Sequence, residues 1–320
     1  MAIVAGIDEA GLGPTLGPLV VSGVAFRAPE ELAGQCLWNV LGESCTNKVR
    51  RGDRRLAIAD SKKLYQGGKS LEPLERAALV MLAVAGKRPQ AWRGLLDVVA
   101  PGATEQLQSY PWYADEDVAL PISTGVGDVG TLANAIRRDG TAHGVALTGI
   151  FCEPLPAGHY NRLVSNTRNK SVVLLGLALR VVDRIMRSAP GQNIHLHVDR
   201  LGGRTHYREA LMTAMAGCEL QILEESDTRS AYRLVRGQRR CDIDFVTKGE
   251  TRHFPIALAS VYSKYVRELY MHVFNRYWSE RVAGLKSTAG YFTDARRWLR
   301  DVGKAVEVDG AGRDALVRVR

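Results

Sequence analysis

The chain has 320 residues, 46% of them hydrophobic and 24% charged, with a net charge of +9 and a pI near 9.4. That length can bury a large core, as one elaborated domain or two ordinary ones, and the composition is that of a globular chain rather than a disordered or fibrous one. No apolar run approaches a membrane span and no basic-then-apolar leader opens the sequence, so a cytoplasmic protein without a membrane partner is expected. Five cysteines, Cys36, Cys45, Cys152, Cys218 and Cys241, form no close C-x-x-C pair. This argues against a disulfide framework or structural zinc and for reduced, mostly buried thiols. The positive charge favours an anionic partner, most commonly nucleic acid.

Residues 3–9 are an apolar run ending in Asp8-Glu9, followed by Gly11-Leu12-Gly13-Pro14 and Gly17-Pro18. An apolar run closed by acids and a glycine turn reads as a buried strand delivering carboxylates to the lip of a sheet. Adjacent strand residues point to opposite faces, so both acids serve one site only if the chain twists there. Taken alone, the pair is better explained as an exposed strand end. Residues 19–26 read as a second strand, paired as a hairpin, and 29–45 as a helix with Leu32, Leu37, Trp38 and Leu41 inward. The basic run 50–55 reads first as a solvated loop.

Ala59-Asp60-Ser61-Lys62-Lys63-Leu64 puts a lysine pair behind an Asp-Ser turn, where ammonium and backbone N–H groups suit a phosphate. A helix follows over 70–85 with Ser70 as its cap. Prolines at 89, 101, 111 and 121 break up residues 87–122, which read as loops and short helices packed on the main fold; the acids 115–117 there read as a hydrated loop. Further on the pattern predicts a helix over 128–138, a strand over 144–151, a long helix over 160–187 and a strand over 193–198 ending at Asp199. A helix over 205–216 and a strand over 219–223 then predict a β-α-β parallel pair. A hairpin over 229–248, a long helix over 254–281 entered through Pro255, and a basic helix within 288–299 complete the pattern.

The acids at strand ends or on an inward helix face are Asp8, Glu9, Asp199 and Glu268. Asp199 repeats the context of Asp8, and Ser260, Lys264 and Glu268 share one helical face at four-residue spacing. Carboxylates converging on one edge repel one another unless cations neutralise them. Hard oxygen donors suit Mg²⁺ or Mn²⁺, and two such ions roughly 4 Å apart serve phosphodiester hydrolysis. Taken singly, Asp199 reads equally well as a turn cap and Glu268 as a surface acid.

Five segments in order resemble the ribonuclease HII family: GIDEAGLGP at 6–14, ADSKKL at 59–64, HVDRLGG at 197–203, ALASVYSKYVRELYM at 257–271 and GYFTDARRWL at 290–299. The resemblance implies an α/β ribonuclease H-like fold: a mixed five-stranded central sheet flanked by helices, with insertions near 28–58 and 87–142 and an added hairpin. Residues 1–282 would form the catalytic domain and 283–320 a helical substrate-binding extension. The implied activity is hydrolysis of RNA in RNA/DNA hybrids, or cutting at ribonucleotides embedded in duplex DNA, by a monomer using two Mg²⁺ or Mn²⁺ ions.

By position, Asp8, Glu9, Asp199 and Glu268 would be the catalytic metal ligands. Gly11, Leu12, Gly13, Ser61, Lys62, Lys63, Ser260, Lys264 and Tyr291 would meet substrate, with Tyr291 against the ribose. Where the family has G-R-G after its acid pair, this chain has Gly11-Leu12-Gly13, which keeps the backbone approach and lacks the guanidinium. Glutamate at 268 stands where aspartate is usual, and Arg296 where a histidine is common. Two other readings stand beside this one: a catalytically weak or inactive nucleic-acid-binding relative, and a nuclease of the same fold acting on branched DNA.

Overall fold

The computed structural model describes residues 1–50, 52–65, 70–123, 127–303, 305–308 and 312–319. In chain order the strands are β1 (Ala2–Ala10), β2 (Leu19–Ala28), the two-residue β3 (Cys45–Thr46) and β4 (Leu56–Ala57), β5 (Ala146–Leu155), β6 (Asn193–Asp199), β7 (Glu219–Glu225), β8 (Arg229–Arg236) and β9 (Arg239–Val246). The first helices are α1 (Leu37–Val40), α2 (Ser61–Tyr65), α3 (Glu72–Val84), α4 (Trp92–Val99), α5 (Ala103–Leu107), α6 (Pro111–Ala114) and α7 (Val129–Ala142). After them come α8 (Ala157–Thr167), α9 (Lys170–Ser188), α10 (Arg208–Ala214), α11 (Phe254–Arg281), α12 (Phe292–Val302), α13 (Ala305–Val308) and α14 (Arg313–Leu316).

Seven strands form one mixed sheet in the order β5-β2-β1-β6-β9-β8-β7. β1 runs antiparallel to β2 and parallel to β6, and β6 is parallel to β9. This is the expected α/β architecture, with one correction. The β8–β9 hairpin is inserted between β6 and β7, so β7 pairs antiparallel with β8 and the predicted parallel β6–β7 pair does not form. Periodicity identifies strands one at a time; which strand takes the open edge of β6 is decided by the competition between two candidates.

Alternation along β1 divides the core. Ile3, Ala5 and Ile7 pack beneath α9, while Ala2 and Val4 face α11 and the helices around it. Gly6 also faces α11, and a Cβ there would collide with the Ile256 amide nitrogen, so glycine is what lets the helix backbone lie on the strand. Each large apolar side chain buried at this seam contributes roughly 1.5–3 kcal/mol. α11 begins at Phe254 with Pro255 in its first turn, where the missing N–H costs nothing.

Two predicted helices are broken. Residues 29–45 give only a 3-10 turn at Glu30–Leu32 and the four-residue α1. The predicted helix over 160–187 divides into α8 and α9, because Arg168 adopts a left-handed conformation (φ +52°) and Asn169 then caps α9 by accepting from the Ser171 amide at 2.9 Å. In the basic run, Arg55 pairs with Asp53, and Arg51 lies outside the described residues. The short helices α4–α6 pack on α11 through rings: Trp92 and Tyr113 each meet Tyr270 edge-on at 5.2 and 5.0 Å, and Trp112 meets Trp278 at 6.0 Å. Glu116 in the acidic run pairs with Arg276 of α11, so that run is structural. None of the five cysteines is in a disulfide. Among the described residues, no helix is long and apolar enough to cross a membrane.

Candidate active site

The parallel register of β1 and β6 pairs Ile7 with Val198, so the next residues, Asp8 and Asp199, stand side by side at the ends of their strands. Ile7 and Val198 both pack beneath α9, which leaves Asp8 and Asp199 on the opposite, α11 side. Asp8 is 7% exposed, its Oδ1 accepts the Glu9 amide at 2.8 Å, and its carbonyl accepts the Ser263 hydroxyl of α11 at 2.9 Å. Glu9, one residue on, presents a buried Oε2 without a hydrogen-bond partner.

Burial and neighbouring charge raise all three acids. Burial, then the charges of Glu9 and Asp199, push Asp8 well above the usual carboxylate range, with the Ser260 hydroxyl and Glu9 amide opposing. Glu9 is pushed up to about 7 by burial and by Asp199, with Lys62 opposing. Asp199 rises to about 6 by burial, with Glu250 adding its charge and a hydrogen bond, while the Gly249 amide and Lys62 pull it down.

Glu250 is the acid the sequence analysis missed. It follows β9 in the turn Thr247-Lys248-Gly249-Glu250, and the Gly249 amide donates to Asp199 Oδ1 at 2.8 Å. That contact carries the capping role expected of Asp199 taken singly and also brings Glu250 beside it. The signal was present, since Glu250, like Asp8 and Asp199, lies where an apolar strand gives way to a glycine turn. Glu268 has partners of its own. Its Oε1 pairs with Lys264 Nζ at 2.5 Å and its Oε2 accepts the Tyr65 hydroxyl at 2.8 Å, with Lys264 over the Tyr65 ring at 4.5 Å. Both oxygens are therefore engaged, by Lys264 on its own helix and by Tyr65 of α2.

The other predicted contacts divide in the same way. Ser260 donates to Ser61 at 2.9 Å, which joins α11 to α2 and places the exposed Lys62 in the field of Glu9 and Asp199. Lys63 is exposed on the same turn. Lys264 is used by Glu268. Gly11 has φ +90°, and a Cβ there would meet the Pro18 carbonyl at 2.5 Å. Gly13 faces open space, and Leu12 packs its side chain on the cluster beneath α9. The Thr15 and Leu16 amides both donate to the Gly290 carbonyl, at 2.8 and 3.1 Å, which sets the 52%-exposed Tyr291 beside the glycine loop.

Among the described residues, no group of three or more His, Cys, Asp and Glu side chains is arranged to hold a metal ion as the side chains stand. The chemistry of the donors nevertheless fits one: they are all oxygen, their charges oppose one another, and the buried Glu9 Oε2 has no partner.

No family model matches the chain, and no curated protein matches it significantly. Solved structures do resemble it. Ribonuclease HII from Archaeoglobus fulgidus, solved in a complex with PCNA, is 16% identical with a TM-score of 0.41, over 99% of this chain and 94% of that one. Ribonuclease H2 from Pyrococcus horikoshii OT3 is 12% identical with a TM-score of 0.41, over 98% and 92%. Bst ribonuclease HIII, solved with Mn²⁺, is 15% identical with a TM-score of 0.41, over 99% of this chain and 66% of that one. Each of these matches spans nearly the whole of this chain.

Proposed function

We propose that this protein is a metal-dependent endonuclease that hydrolyses RNA in RNA/DNA hybrids or cuts at ribonucleotides embedded in duplex DNA. The observation that carries the reading is the acid edge, where Asp8 and Asp199 stand side by side and Glu9 and Glu250 join their field. Buried acids that raise one another are costly to keep in a fold without a cation to use them.

In this reading Asp8, Glu9, Asp199 and Glu250 hold Mg²⁺ or Mn²⁺. Bound there, such ions would activate water and stabilise the leaving oxygen. The chain's own residues do the rest. Ser263 and Ser260 anchor the Asp8 end of β1 to α11, and the Gly249 amide orients Asp199. Lys62 offers an exposed cation to a phosphate entering beside the acids, and Tyr291 offers an exposed ring to a sugar next to the glycine loop. The net charge of +9 attracts the polyanion as a whole.

The test is a panel of all-DNA, single-ribonucleotide and full-hybrid duplexes with Mg²⁺ and Mn²⁺, for the protein and its Asp8→Asn variant. Cleavage confined to ribose-containing strands and lost in the variant is expected. Cleavage of branched all-DNA substrates would point to the other nuclease reading, and tight binding with no product at saturating metal to an inactive relative.

A further inference from the structure

The end of the chain returns to the loop at its beginning. Val317 bridges to Leu16, the Arg318 amide donates to the Thr15 carbonyl at 2.9 Å, and the Arg318 guanidinium donates to the carbonyls of both Gly11 and Leu12, the latter at 3.1 Å. The guanidinium lies over the Tyr160 ring at 4.1 Å, and the residue is 3% exposed. Asn161 of α8 ties the tail down: its Nδ2 donates to the Asp314 and Val317 carbonyls, both at 2.7 Å, and its Oδ1 accepts the Val319 amide at 2.8 Å.

A trans peptide points its N–H opposite to its C=O. The Gly11 carbonyl shares a peptide with the Leu12 amide, and the Leu12 carbonyl shares one with the Gly13 amide. One buried guanidinium holding both carbonyls therefore turns both N–H groups away from itself. Neither amide donates to another described residue, and Gly13 opens onto free space.

We propose that Arg318 is a positioning residue: from the far end of the chain it aims the Leu12 and Gly13 amides outward as a pair of donors for a ribose 2′-hydroxyl beside the scissile phosphate. This rests on the nuclease reading above. The loop has no arginine of its own at position 12, and the cation reaches it from behind. Arginine suits the task because its planar fork spans two carbonyls while its face stacks on Tyr160; lysine keeps the charge and does neither.

The experiment compares the full chain with its Arg318→Lys and Arg318→Met variants, each checked for folding by circular dichroism. Binding is read by fluorescence anisotropy in EDTA on three duplexes of one sequence: all-DNA, DNA with one ribonucleotide, and RNA/DNA hybrid. Both variants should lose about tenfold in preference for ribose-containing duplexes, the scale of two neutral hydrogen bonds, with all-DNA affinity within about twofold. A preserved preference in a folded variant overturns the proposal, as does an equal fall on all three duplexes. If neither variant folds, Asn161→Ala, which frees the tail without touching the loop, must show the same selective loss. A parent protein without ribose preference sinks the hybrid-nuclease reading instead. The clamp is then judged by hydrogen exchange at Thr15 and Leu16, which must quicken in Arg318→Lys, and unchanged exchange rejects it.

Discussion

The Gly249 amide donates to Asp199 Oδ1 at 2.8 Å, and this contact helps fasten the turn after β9 to the end of β6 with Glu250 beside the acids. Glu250→Gln should therefore lower metal-dependent kcat/KM by about 100-fold or more, the scale on which loss of one charge-stabilising group shows itself. Glu268→Gln should cost about 1–3 kcal/mol of stability, from the pair with Lys264 and the bond from Tyr65, and much less activity. Steady-state kinetics beside thermal unfolding separate the two, and the reverse ranking would return the fourth acid to Glu268.

Asp8, Glu9 and Asp199 repel one another in the metal-free fold. Asp8→Asn should raise the unfolding midpoint in EDTA and abolish the further rise that Mg²⁺ or Mn²⁺ gives the parent protein. By linkage that metal-dependent gain is about 2.7 kcal/mol at a hundred times the dissociation constant. A variant that keeps the full gain would exclude Asp8 as a ligand. Differential scanning fluorimetry with and without metal reads both effects.

His253, at the head of α11, stacks on His197 at 4.0 Å and is held down to about 4, first by burial and then by the charges of His197 and Arg252, with Asp244 opposing. The unfolded chain takes up the His253 proton near 6.5 and the folded chain only near 4, so its contribution to stability is present above 6.5 and is lost as pH falls toward 4. His253→Gln has no such proton. Urea titrations at pH 7 and pH 5 should show the parent protein losing more stability on acidification than the variant. Equal losses would mean that the ring is not buried as a neutral group.

Gly6→Ala should be the most damaging single methyl on β1. Its Cβ would meet the Ile256 backbone, which cannot swing aside as a side chain can. We expect at least about 1–3 kcal/mol of destabilisation, and a loss of activity beyond that, because α11 carries Ser260 and Ser263 against the acid edge. Activity of the folded fraction at low temperature separates the two effects; unchanged activity there would mean that α11 does not set the geometry of Asp8.

Much of the fold was legible before any coordinates. β1, β9 and α11 announced themselves by apolar run or period, and the proline at 255 marked a helix start. Breaks that depend on one backbone angle were not legible. Arg168 carries no glycine or proline signal, yet its left-handed turn divides a continuous apolar pattern in two. The order of β6, β9, β8 and β7 was hidden for another reason: a hairpin and a single strand can both satisfy the same sheet edge.

The sequence by itself determined which acids end buried strands and which glycines follow them, because both are local consequences of hydrophobic period and backbone freedom. Tertiary structure alone decided which acids meet. Asp8 and Asp199 come together because β1 and β6 are parallel and in register; Glu250 joins through a backbone amide; and Glu268 is engaged by Lys264 and Tyr65. Likewise, nothing local to Gly11-Leu12-Gly13 shows that an arginine more than 300 residues later grips its carbonyls. Side-chain partners across the chain are chosen by packing, and packing is not written in any one stretch.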